Sequence, residues 1–328
     1  MVTRIIVVLL VSLVHSSLGF AQAQQAKKVA RIGYLASGSP AASVVPDRDT
    51  EAFYQGLREL GYIEGKNLII EYRYAKGQAE RLPELTWELV NSKVDLIVAT
   101  TSPAIRAARP AATTIPIVMM SVGDLVTEGI IDSLARPGGN ITGVTGNIPA
   151  LSGKLLQVLV DAVPRVTRVG VLRNPDTDRL SLTETENAAR ALRVQLKILE
   201  VRNRDELEDA FSATTINYAR SLVILPSVLF ARNERRIADL SIRRRLPTIF
   251  WRRQFAEAGG LLAYGPSFPD MLRRVGVLAG KILNGTKPSE LPVEQPTKYE
   301  LVVNLKTAKQ IGVTIPQSLL IRADSVIK

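Results

Sequence analysis

The sequence predicts an α/β protein made of two doubly wound parallel-sheet lobes. Three observations point there. Short aliphatic runs alternate with amphipathic stretches from residue 29 to residue 251, the pattern of parallel strands covered by helices on both faces. The alternation comes as two series, with a seam near residues 145–150. The chain has 328 residues, 46% of them hydrophobic and 22% charged. That is about two domains at roughly 150 residues each, with enough apolar material for two cores.

The first series opens with a buried strand, Val29–Ala36, broken by Ser37-Gly38-Ser39-Pro40. Asp49–Leu60 reads as a helix with Phe53, Leu57 and Leu60 on one face, stopped by Gly61. A strand over Asn67–Tyr74, a helix over Glu80–Asn91, a strand over Val94–Ala99 and a helix over Pro103–Ala112 follow. Ile115–Met120 is a strand with its proline at the start, where a strand tolerates one. A helix near Val126–Ala135, a turn at Arg136–Asn140 and a strand at Ile141–Thr145 close the series. The second series alternates helices (Leu151–Val163, Thr183–Val194, Asp205–Ala213, Asn233–Arg244) with strands (Val166–Leu172, Leu196–Val201, Ser221–Leu225, Pro247–Trp251). The tail differs. A long helix spans Pro269–Leu283, and Pro288, Pro292 and Pro296 mark a connecting segment. A strand over Tyr299–Asn304 and a short helix over Lys306–Ile311 follow.

The amino terminus carries Arg4, the apolar run Ile5–Val14 and then Ala21-Gln22-Ala23. A positive start, a short apolar core and small residues at the cleavage positions form a secretory leader, and processing is expected after Ala23. The alternative is a membrane anchor, but the run falls short of the roughly 20 apolar residues a span requires. The chain contains no cysteine and one histidine, His15. Disulfides, thiolate metal sites and cysteine nucleophiles are therefore excluded. Loss of the leader also removes His15, which excludes a Ser-His-Asp triad and histidine acid–base chemistry. No metal site, no cofactor and no catalytic residue is expected. An exported enzyme using carboxylates is the weakest reading, because no paired-carboxylate constellation is present.

The net charge of +11 raises the question of nucleic acid. The densest basic cluster is Arg232, Arg235, Arg236 and Arg243-Arg244-Arg245, interrupted by Glu234 and Asp239. No recognised nucleic-acid motif accompanies it, so nucleic-acid binding is not expected. A solvated helix face or a charged docking surface accounts for the cluster.

Ligands of open parallel sheets lie beyond the carboxyl ends of the strands, where helix N-termini favour anions. Reading the residue after each strand selects Ser37, Ser39, Thr101, Ser102, Asp124 and Asn147 in the first series, and Asn174, Ser227 and Tyr264 in the second. Small hydroxyls and amides suit a small polar ligand. Thr101, Ser102 and helix-start amides could hold a carboxylate, Asp124 an ammonium, and Tyr264 or Trp251 an apolar side chain. The same residue types are also ordinary helix caps.

Several stretches resemble the exported substrate-binding proteins of ABC transporters that include the tryptophan-binding type. They are Gly61–Ala75, Arg81–Leu85 with Val94–Val98, Ser121–Asp124 with Ser133–Gly143, Phe255–Leu261 with Tyr264-Gly265-Pro266, and Leu291–Ala308 with Leu320–Asp324. The resemblance covers nearly all of the chain after the leader. It implies a periplasmic-binding fold of type I, with two lobes joined by three crossings that close on a ligand. Lobe I is then expected over residues 29–145 plus 266–292, and lobe II over 146–265 plus 293–328. It also implies a periplasmic location, a membrane permease as partner, a monomer, and ligands that include amino acids. A sensory module that signals to a receptor is the alternative. Two positions depart from the family pattern: Leu125 stands where proline is usual, and Pro226-Ser227-Val228 stands where Pro-Asp-Pro is frequent.

Overall fold

The computed structural model describes residues 29–39, 48–175, 179–215 and 220–328. The expected leader lies outside the described residues. The first lobe contains β1 (Ala30–Ala36), α1 (Arg48–Glu59), β2 (Leu68–Tyr74), α2 (Leu82–Asn91), β3 (Leu96–Thr100), α3 (Ser102–Ala111), β4 (Ile117–Ser121) and β5 (Ile141–Thr145). Its five strands lie in the order β2-β1-β3-β4-β5, and all neighbours are parallel. Every residue of β3, β4 and β5 is buried. That is why β3 and β4 read as nearly continuous apolar runs and not as alternating ones, while β5 buries Thr142 and Thr145 as well.

The chain then enters the second lobe through α4 (Ile148–Ala162). There it forms β6 (Arg168–Arg173), α5 (Arg179–Leu192), β7 (Gln195–Glu200), α6 (Leu207–Thr215), β8 (Leu222–Ile224), α7 (Val228–Arg232), α8 (Glu234–Arg243), β9 (Thr248–Phe250), α9 (Arg253–Glu257) and β10 (Leu262–Pro266). It returns as α10 (Phe268–Leu283), whose Met271, Leu272, Val275 and Leu278 complete the first lobe's core against Phe53 and Leu57 of α1. α1 and α10 meet backbone to backbone. A methyl group on Gly56 would overlap the Arg273 carbonyl, and one on Gly276 would overlap the Phe53 carbonyl.

After α10 the chain runs along β5. The Glu294 N–H donates to the Gly143 carbonyl and the Thr145 N–H donates to the Glu294 carbonyl, both at 2.9 Å. Val293 is buried in the first lobe's core, so the crossing begins after Glu294. Arg274 of α10 holds the Glu294 carboxylate at 2.7 and 2.6 Å. The chain then ends in the second lobe as β11 (Tyr299–Asn304), α11 (Leu305–Ile311), α12 (Gln317–Arg322) and β12 (Ser325–Ile327). The second sheet has the order β12-β11-β10-β9-β8-β6-β7.

Two expectations need correction. The second sheet is not wholly parallel, because β11 runs antiparallel to β10. The chain comes back from the first lobe at the carboxyl ends of the strands, so the returning strand must run the other way. The helix expected over Val126–Ala135 is a series of turns. The Ile130 N–H donates to the Leu125 carbonyl at 2.9 Å, and Gly129 has φ +66°. A left-handed glycine inside one turn of chain ends a helix. β10, β12, α9 and α12 are elements that periodicity did not mark.

Candidate functional site

Topology places the candidate site. In an order such as β2-β1-β3-β4-β5, consecutive connections leave in opposite directions between β1 and β3, and the crevice opens at that switch point. Ser37 follows β1 and Thr101 follows β3. The second sheet repeats the arrangement as β7-β6-β8-β9-β10. Its switch point lies between β6, which Asn174 follows, and β8, which leads to Ser227. The carboxyl ends of the two sheets face each other, because β5 leads directly into the start of α4 and β10 directly into the start of α10. The lobes also meet at the rim: a Cβ on Gly77, beyond β2, would lie 2.8 Å from Arg232 Nη1, beyond β8.

In the first lobe the hydroxyls of Ser37 and Thr101 are 2.6 Å apart and hydrogen-bonded. Thr101 precedes α3 but makes no side-chain cap. Its backbone has φ +102° and ψ 146°, a region that side chains rarely enter. Ser102 Oγ lies 3.0 Å from Ser121 Oγ and donates to Glu128 Oε1 at 3.3 Å. Ser121 Oγ accepts from the Gly123 N–H at 3.1 Å. Thr145 Oγ1 donates to the Gly123 carbonyl at 3.0 Å and accepts from the Asn147 N–H at 3.2 Å. Asn147 has a left-handed backbone, and its Oδ1 is buried with no hydrogen-bond partner among the described residues. Ser39 is exposed and lies just before the segment 40–47, which is outside the described residues.

Asp124 is held differently. Its Oδ1 accepts from the backbone of Val126 and Thr127 at 3.2 and 3.1 Å, and its Oδ2 accepts from Thr127 Oγ1 at 2.8 Å. Both oxygens organise the turn that replaces the expected helix. The nearby carboxylate that reaches Ser102 is Glu128, which also pairs with Arg106 of α3 at 2.9 Å. Sequence reasoning missed Glu128 because it lay in the stretch read as a helix. The turn chemistry of Asp124 with Gly129 was the available signal.

In the second lobe Asn174 is buried at the end of β6. Ser227 Oγ accepts from the Leu229 N–H at 3.1 Å and so caps α7. Tyr264 stacks on Tyr299 at 6.1 Å between ring centroids and packs against the second lobe's core. Burial, more than the nearby ring of Tyr299, raises its phenol pKa. Beyond β9, the Arg252 guanidinium lies 5.6 Å from the ring centres of both Trp251 and Phe268. Arg252 Nε is 3.1 Å from Glu234 Oε1. Burial pushes the Glu234 carboxyl up to about 7; Arg252 opposes this and Glu257 adds to it. The basic cluster is partly neutralised: Arg236 and Arg243 reach Glu208 of α6 at 3.4 and 3.6 Å.

A cavity of about 520 Å3 opens elsewhere, at the amino ends of the first sheet's strands, beside Tyr62, Asn67, Asp95 and Asn284. Its polar groups already serve the fold. Asn67 ties residues 61 and 63, Asp95 accepts from the Arg31 N–H, and Tyr62 donates to Asn284. The strand ends, by contrast, hold a buried carbonyl, Asn147 Oδ1, with no partner among the described residues.

The model of the family of ABC transporter substrate binding proteins matches residues 46–327, both lobes included. The chain belongs to this family. A curated relative, the tyrosine-binding protein of Clostridioides difficile (strain R20291), is 23% identical over 267 residues, covering 81% of this chain and 76% of the relative. A solved ABC domain from Streptococcus pneumoniae in complex with L-Trp superposes with a TM-score of 0.78 at 23% identity, covering 91% of this chain and 99% of the other. A conserved domain protein from Vibrio cholerae superposes with a TM-score of 0.81 at 25% identity, covering 91% of this chain and 100% of the other. The fold is that of the type I periplasmic binding proteins. Family members bind substrates for transporters, and this chain is a substrate-binding protein of the ABC type.

Proposed function

We propose that the protein is an exported receptor that captures an amino acid or similar zwitterion between its lobes and presents the closed form to the permease of an ABC importer. The facing switch points, Ser37 with Thr101 and Asn174 with Ser227, carry this reading. Two sheets aim their small polar residues at one gap, and such a gap suits a small polar ligand. The relatives named for tyrosine and crystallised with L-Trp support amino acids as the ligand class. Ligand binding shifts an open–closed equilibrium, and the permease reads the difference between those states. The protein works in the periplasm as a monomer, without a cofactor and without catalysis, after cleavage near Ala23.

The test is a melting series on residues 24–328 with amino acids, short peptides, nucleosides and organic acids. A ligand at 100 times its Kd adds about 2.7 kcal/mol, and each kcal/mol moves the midpoint by roughly 2–4 °C at this size. The expected result is a shift of several degrees with one group of amino acids. A shift confined to nucleosides or peptides would overturn the ligand class. Sequencing the amino terminus of the secreted protein should find Gln24.

A further inference from the structure

The hydroxyl protons of the first lobe give the site a polarity. A serine hydroxyl has one proton to donate. Ser102 uses its proton on Glu128, because an ionised carboxylate only accepts. The contact with Ser121 must then run from the Ser121 hydroxyl to Ser102 Oγ. Ser121 Oγ in turn accepts from the Gly123 N–H. In that arrangement Ser102 offers the ligand a lone pair and not a proton. Beside it, Glu128 presents a carboxylate with 22% of its side chain exposed. Asn147, tied to the same loop through Thr145 and Gly123, holds a buried carbonyl oxygen with no partner among the described residues. Glu128 and Asn147 Oδ1 are acceptors, and the Arg106 guanidinium that reaches this corner already pairs with Glu128 at 2.9 Å. The Ser37–Thr101 pair is different: one of its two hydroxyls donates to the other, and the second proton has no acceptor among the described residues.

We infer that Glu128, with Ser102 beside it, is the receptor for the positively charged group of the ligand, and that Asp124 is not. The ligand's carboxylate then lies toward Ser37, Thr101 and the start of α3, where a free hydroxyl proton and helix N–H groups favour an anion. Arg106 pairs with the Glu128 carboxylate at 2.9 Å and fixes its position. This assignment rests on the reading that the ligand is an amino acid.

Isothermal titration with L-tyrosine and L-tryptophan tests it, beside the matching 3-arylpropionic acids, which keep the ring and carboxylate but lack the ammonium. Glu128→Gln should weaken the better-bound amino acid at least about tenfold, the range for a hydrogen bond to a charged group. It should leave the arylpropionic acid's affinity within about twofold. Asp124→Asn should weaken both by a similar, smaller factor, since it loosens the turn. Equal losses of both ligands in Glu128→Gln, at an unchanged melting temperature, would overturn the assignment. So would selective loss of the amino acid in Asp124→Asn. If the wild-type protein binds neither amino acid nor any other in the melting series, the amino-acid reading itself fails and takes this assignment with it. Glu128→Asp, which keeps the charge, separates a lost charge from a damaged loop by restoring part of the selectivity.

Discussion

Thr101 holds a backbone conformation that glycine adopts freely and threonine does not, with φ at +102°. The strain costs about 1–3 kcal/mol. It aims the hydroxyl at Ser37 instead of at the helix it precedes. Removing the hydroxyl in two ways separates these contributions. Thr101→Ala and Thr101→Gly lose the same hydrogen bond, but only glycine relieves the backbone. At ordinary positions alanine is the more stable by roughly 0.5–1 kcal/mol. Here Thr101→Gly should melt above Thr101→Ala, while both bind ligand more weakly than the wild type. Glu234 provides a second test at this scale. Its folded pKa of about 7 stands above its ordinary value of 4.5. Its contribution is therefore fully present below pH 4.5 and is lost as pH rises through 7. Glu234→Gln should then gain stability relative to the wild type between pH 5 and pH 8, read as the difference in melting temperature. A difference that stays flat across that range would show that Arg252 holds the carboxylate ionised throughout.

The joint between α1 and α10 depends on two glycines facing backbone carbonyls. Gly276→Ala should destabilise the protein by about 1–3 kcal/mol through overpacking, measured by chemical denaturation, even though alanine is the better helix former. Joints of this kind show what the sequence could and could not convey. Strands β3 and β4 were legible because burial on both faces leaves a nearly uninterrupted apolar signature, as in Leu96-Ile97-Val98-Ala99. The switch-point residues were legible because they simply follow such strands. Helix 126–135 was misread because Val126, Ile130 and Ile131 have helical spacing, but a side-chain cap at Asp124 and left-handed Gly129 outweigh it. The reversed β11 was invisible for another reason. Its direction is fixed by where the chain re-enters the lobe, and local composition carries no trace of that. Hydroxyl polarity at Ser102 was equally out of reach, since it follows from a carboxylate 26 residues away in sequence.

The two lobes are joined by three short crossings, at Gly146–Asn147, at Ser267 and after Glu294, all on the side where the strand ends meet. Two stiff bodies on adjacent short hinges can bend toward one another but cannot slide far. Small-angle X-ray scattering should show a smaller radius of gyration when saturating ligand is added. An unchanged profile alongside proven binding would mean that the cleft admits its ligand without closing. The same wiring governs the birth of the molecule. The first lobe's core takes Met271, Val275 and Ile282 from α10. The second takes Leu301, Val303 and Ile311 from the final stretch of chain. Neither core can be sealed while those segments are still inside the ribosome. Each lobe thus stays incomplete until the last segments of the chain have been made.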